Sequence, residues 1–158
     1  MSHRLPRIVA LGLLLMGSCA PDAPQVEIRE LIERGERAAE QRRVGELADL
    51  VAPTYADAEG RDRAALVGLV RGYLAHGGSI HLLTRIESLR VTAPERAEVT
   101  LLLAAAALPI SGVLDLDAVS ADLLRVELEL ERARGDWRLT RAAWAPATVA
   151  DFLRATED

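Results

Sequence analysis

Residues 125–132 read Arg-Val-Glu-Leu-Glu-Leu-Glu-Arg, and the fold turns on how that octet is read. Val126, Leu128 and Leu130 alternate strictly with Glu127, Glu129 and Glu131. A period of two puts the apolar set on one face of a strand and the glutamates on the other. The glutamates read as a solvated outer face rather than as an acidic binding stripe. The alternation extends over Leu124–Arg134, and a second strand follows at Trp137–Ala145. Their register is decided by face sorting. A two-residue turn at Gly135-Asp136 would set Trp144 opposite Glu127 and Arg141 opposite Leu130. A three-residue loop or a bulge moves the pairing by one, and that flips every side chain of the second strand. Trp144 and Ala142 then join the Val126, Leu128 and Leu130 face, and Arg141 joins the glutamates. That odd register is expected.

Working outward, Ser79–Val91 and Arg96–Leu108 also read as strands, while three stretches between residues 26 and 78 have helical spacing. Ile28, Leu31, Ile32, Ala38 and Ala39 mark a first helix over 26–42. Val44, Leu47, Leu50 and Val51 mark a short second one ended by Pro53. Tyr55–Glu59 is a brief extended piece. Asp62 can cap a third helix with the stripe Leu66, Leu69, Val70 and Tyr73, closed by Gly77-Gly78. Helices first and antiparallel strands after them predict an α+β domain, N-terminal helices packed on a curved antiparallel sheet of four or more strands. Leu101–Leu108 (LLLAAAAL) is apolar at every position, so both faces of its strand need cover. Helices can supply one side. Segment 109–123, a long connection with room for one short helix, or a second subunit must supply the other.

The N-terminus has a different character. Arg4 and Arg7 precede the apolar run Ile8–Met16, and Gly17-Ser18-Cys19 follows. A positive start, a short apolar stretch and small residues before a cut are the features of a signal peptide. Nine apolar residues are too few to span a bilayer, which takes about 20. The tract LLMGSC resembles the lipobox of bacterial lipoproteins, in which the cysteine is acylated and becomes the new N-terminus. The resemblance implies a signal over 1–18, lipid attachment at Cys19 and a tether over 19–25, ahead of a domain at 26–147 and a C-terminal tail at 148–158. Ala20 and Pro21 follow the cysteine where Asp would favour retention, which resembles lipoproteins sent to an outer membrane, if the source has two membranes. The expected location is exported and held to a membrane by lipid.

Composition excludes several functions. Every basic residue is Arg, and without Arg4 and Arg7 the exported chain carries 17 of them against 24 acidic residues. Such a chain, with no basic stripe, does not suit nucleic acid. Cys19 has no disulfide partner, and His76 and His81 stand apart, so no metal set is expected. His76 sits at a helix end, where an imidazole can meet the helix dipole. No glycine-rich phosphate loop or nucleophile elbow is present, and no cofactor is expected.

The order of elements, the step YADAEGRDRAAL into the third helix and the closing strand WRLTRAAW together resemble the nuclear transport factor 2-like (cystatin-like cone) superfamily over residues 26–147. The resemblance implies a cone between helices and sheet, with Tyr55, Asp57, Tyr73, His81 and Trp144 as candidates to line it. It also implies a homodimer through the sheet as one way of covering Leu101–Leu108. Asp57 and its neighbours look like the ketosteroid isomerase branch, where an aspartate there is the general base. Against that, the first helix carries Gly35 where the branch has an oxyanion-stabilising tyrosine. The function expected is a non-catalytic, membrane-anchored lipoprotein whose cone binds a small apolar ligand or a partner protein. The alternatives are a small lyase or isomerase using Asp57 or His81, and an envelope assembly accessory. No catalytic residue is assigned; Asp57 is expected to be a turn or cap residue.

Overall fold

A computed structural model describes residues 23–75 and 78–155; the signal-like segment, Cys19, His76 and Gly77 lie outside them. Three helices come first: α1 (Ala23–Glu40), α2 (Val44–Asp49) and α3 (Arg63–Ala75). Four strands follow, β1 (His81–Ala93), β2 (Arg96–Ala106), β3 (Asp122–Ala133) and β4 (Asp136–Pro146), and then α4 (Val149–Arg154). The sheet is antiparallel throughout, in the order β1-β2-β3-β4. This is the α+β architecture expected from the alternating and helical periods.

The β3–β4 hairpin has the expected register, reached by two devices together. The turn lies one residue earlier than Gly135-Asp136, at Arg134-Gly135, with Ala133 paired to Asp136. Both turn residues have positive φ, 55° and 92°, as a two-residue hairpin turn matched to strand twist requires. A bulge at Thr140 then moves the pairing by one, so Val126 faces Trp144, Leu128 faces Ala142 and Glu129 faces Arg141. Thr140 Oγ1 donates to the Glu129 carbonyl across the bulge, at 3.1 Å. Without the bulge, Arg141 would fall opposite Leu128 and Trp144 would leave the apolar face.

The inner face of the sheet packs on α1. Ile28, Leu31, Ala97, Val99, Leu101, Leu130 and Trp137 form one buried cluster. Glutamates on α1 fasten it to the sheet. Glu27 accepts from Trp137 Nε1 at 3.0 Å and from Arg132 at 2.8 Å. Glu36 accepts from the Thr84 amide at 3.1 Å and its hydroxyl at 2.7 Å, and Glu40 accepts from the Leu82 amide at 2.9 Å. Those amides sit on the free edge of β1, so the two glutamates also blunt an open sheet edge. The opposite edge is covered by the segment between α2 and α3. Ala52 donates to Leu139, Leu139 to Leu50, and Ala56 to Thr140, at 2.8, 2.9 and 3.2 Å.

The outer face is covered by the chain itself. Leu102 and Ala104 are fully buried against Val113, Leu116 and Phe152. Segment 109–121, with one 3-10 turn at Val113–Asp115, supplies the first two, and α4 supplies Phe152. Residues 148–158 were expected to be a tail; instead α4 is a capped helix and its phenylalanine is part of the core. Thr148 and Asp151 cap each other's backbone at its start. Arg125, reaching Glu87 through two bonds of 2.9 and 2.8 Å and Asp151 at 3.5 Å, ties that helix to the sheet. The expected tether is also shorter, because α1 already begins at Ala23. Pro24 is tolerated there because amides of a first helical turn lack intrahelical acceptors.

Candidate functional site

Asp57 lies in the tight connection between α2 and α3, closed by a single antiparallel bridge from Ala56 to Asp62 and a positive φ at Gly60. The expected extended piece at 55–59 is reduced to that bridge. The Asp57 side chain has no exposed area, so it is a buried member of its turn. Its Oδ1 accepts from the Glu59 and Arg61 amides at 3.1 and 2.9 Å. Its Oδ2 accepts from Arg61 Nε at 2.7 Å and from the Tyr55 hydroxyl at 3.2 Å. Asp62, not Asp57, caps α3, accepting from the Ala65 amide at 2.8 Å.

The electrostatics follow from those partners. Burial pushes the Asp57 carboxyl up, but the Arg61 side-chain bond, the Arg61 amide, the guanidinium charge and the Tyr55 hydroxyl outweigh it and hold it below the usual carboxylate range. Burial, with the Asp57 charge and hydrogen bond, pushes the Tyr55 hydroxyl up to about 12. A carboxylate held ionised by four donors is a poor proton acceptor, since a general base works best with a pKa near the operating pH. Arg61 completes the group. Its guanidinium lies 4.5 Å from the Trp144 ring centroid, a cation–π contact, while its Nη2 reaches Glu59 at 2.7 Å.

Of the five residues expected to line a cone, Tyr55, Asp57 and Trp144 meet through Arg61. Tyr73 and His81 are elsewhere. Tyr73 is 55% exposed and its hydroxyl donates to Asp122 at 3.1 Å. α3 is turned so that Leu66 and Leu74 are buried and Leu69 is exposed with Tyr73, which departs from the expected stripe. In this orientation the Arg63 side chain at the start of α3 donates to the Ala48 and Val51 carbonyls and joins the helix to the end of α2 and the segment after it. His81 opens β1 beside a surface groove of about 470 Å³ that it shares with Glu40, Arg42 and Ser79. A second groove, about 440 Å³, is lined by Arg34, Arg37, Arg43, Glu46 and Asp49. Arg61 was not singled out from sequence. The signal was present in Asp57-Ala-Glu-Gly-Arg61: an aspartate, a turn glycine and an arginine four residues on.

No protein-family model matches the sequence, and no curated protein does. Solved structures do match in fold. The class is an α+β cone of helices over a curved antiparallel sheet. More particularly it is the nuclear transport factor 2-like, or cystatin-like, fold. A nuclear transport factor 2-like protein of unknown function from Pseudomonas putida superposes with a TM-score of 0.60, at 21% identity over 82% of this chain and 92% of that one. A member of that family from Streptomyces avermitilis, named provisionally as a dehydratase, gives 0.64 at 14% identity over 81% of this chain and 99% of that one. A cystatin-like protein of unknown function from Nostoc punctiforme gives 0.57 at 13% identity, over 78% of this chain and 90% of that one. At these identities the likeness is one of fold, and function has to be argued from the site.

Proposed function

We propose that this chain is an exported lipoprotein, anchored through Cys19, whose domain docks a partner protein and performs no catalysis. One observation carries the second half: Asp57, the carboxylate at the position the resemblance makes a general base, is spent on four donors that organise its own turn. Gly35 on α1 has no side chain to stabilise developing negative charge, and a Cβ there would meet Leu50 at 3.6 Å. The inner face of the sheet is filled by Ile28, Leu31, Leu101 and Trp137, which favours a surface partner over a small apolar guest. The dehydratase name of the Streptomyces protein is therefore not carried to this chain.

Two measurements test the reading. Cys19→Ser should release the protein from the membrane fraction or leave the signal uncut, and intact mass should show acyl chains on the native cysteine. An unmodified Cys19 in exported protein would end the lipoprotein reading. Asp57→Asn, in cells where the folded fraction is unchanged, should preserve the biological role. Loss of the role under that condition would put an Asp57-dependent lyase or isomerase first.

A further inference from the structure

The described residues have two unlike ends. At one, the N-terminal part of α1 lies by the β3–β4 hairpin, where Glu27 holds Arg132 and Trp137, and the Arg132 amide in turn donates to the Glu95 carbonyl of the β1–β2 turn at 2.9 Å. The turns there are polar and exposed, at Pro94-Glu95 and Arg134-Gly135-Asp136. From this end α1 runs beside the sheet until Glu36 and Glu40 reach Thr84 and Leu82, near the start of β1. The far end carries the long connection after β2 and the close of β4. Most of the exposed large apolar side chains lie toward it, Val26 on the first turn of α1 being an exception. Leu108 and Leu114 project from that connection, Tyr73 is bonded to the first residue of β3, and Trp144 stands two residues before the last residue of β4.

Length decides which end can meet a bilayer. Three residues separate Cys19 from Ala23, so the tether reaches at most about 14 Å when fully extended. α1, at 18 residues, is about 27 Å long. We propose, resting on the lipoprotein reading of Cys19, that the end formed by the α1 first turn and the two hairpin turns lies against the phospholipid headgroups. The apolar end, with Tyr73, Leu114 and Trp144, is thereby turned away from the membrane. The polar hairpin turns have nothing to insert among acyl chains, so contact is with headgroups and the covalent lipid supplies the hold. Laying the apolar end on the same leaflet would require the tether to cover the length of α1, which it cannot do with the helix upright.

The test uses full-length acylated protein reconstituted into phosphatidylethanolamine and phosphatidylglycerol vesicles carrying a headgroup quencher. A fluorophore is placed on Glu95→Cys in one sample and on Leu114→Cys in another, acylated Cys19 being blocked to the label. Quenching of the Glu95 probe should exceed that of the Leu114 probe at least threefold. Equal quenching, or a stronger effect at Leu114, with acylation confirmed by mass, overturns the orientation alone. Absence of acyl chains on Cys19 overturns the lipoprotein reading and removes the tether on which the orientation depends.

Discussion

Asp57 shows how far a single residue type can mislead. Its position and neighbours marked a turn correctly, but nothing local marked it as buried, because the burial comes from Tyr55 beneath it and from Arg61 folding back onto Trp144. The corresponding expectation is a large stability effect. Asp57→Asn keeps the shape but removes the charge opposite Arg61 and weakens the acceptor for Tyr55, so the thermal midpoint should fall by roughly 5–10 °C. Glu59→Gln, which loses an exposed partner of the same arginine, should move it by less than about 2 °C. Equal shifts in the two variants would show that the turn does not depend on the buried pair. The pH profile has a defined shape as well. Asp57 and Asp151 have folded pKa values below the ordinary carboxylate; for Asp151 the Thr148 hydroxyl and amide, with Arg154, bring it to about 2. Their contribution is complete above the unfolded value near ~3.9 and is lost as pH falls through the folded ones. Tyr55 works in the opposite direction: its neutral form is favoured up to about 12, so stability should decline as pH rises from ~10 toward that value. Tyr73, raised by burial and by its bond to Asp122, contributes in the same direction, so Tyr55→Phe should make the alkaline decline shallower, and an unchanged slope in that variant would contradict the assignment.

At the scale of elements, what was legible is what periodicity encodes. Four strands and three helices appear where alternation and helical spacing placed them, and the face of Trp144 could be deduced because a wrong register would have paired it with Glu127. The means was less legible: the sequence argument allowed a loop or a bulge, and the bulge at Thr140 adjoins Leu139, whose backbone is bonded to Leu50 and Ala52 from a distant part of the chain. α4 was missed for a different reason. Six residues make too short a window for a periodic signal, yet its start carries a local signature in Thr148-Val-Ala-Asp151, a hydroxyl followed three residues later by a carboxylate. The Thr148 amide and hydroxyl both donate to Asp151, at 2.8 and 2.7 Å, and the Asp151 amide returns to Thr148 Oγ1 at 3.4 Å. Thr148→Ala should cost about 1 kcal/mol of helix stability. Native-state amide exchange within α4 should then quicken about fivefold while that of β2 stays as it was. Unchanged exchange in α4 would mean that packing, not the cap, starts the helix.

For the whole molecule, the decisive demand was visible in Leu101–Leu108, whose strand had to be covered on both faces. Which segment would answer it was not visible, since a second subunit and the long connection satisfied the sequence equally well. The structure answers with its own chain, and Phe152 is the last piece: a fully buried aromatic on a helix tied down by Arg125 and the Thr148 cap. A face closed by so short a helix is a face that one substitution can reopen. Phe152→Ala should cost about 3–5 kcal/mol in lost burial and cavity, against a total stability of about 5–15 kcal/mol for an ordinary domain. The four-stranded sheet and α1 do not contact Phe152 through the inner cluster, so the fold should survive with α4 detached. Leu102, Ala104 and Leu116 would then meet water and seek cover from another copy. The expected signs are concentration-dependent association in gel filtration and a rise in binding of an apolar dye, with the far-ultraviolet spectrum nearly unchanged. Leu153→Ala is the matched control, because that neighbouring side chain is 46% exposed and its loss should leave the protein as it was. If both variants behave alike, the outer face is not closed by Phe152, and cover from a second subunit returns as the explanation for the apolar strand.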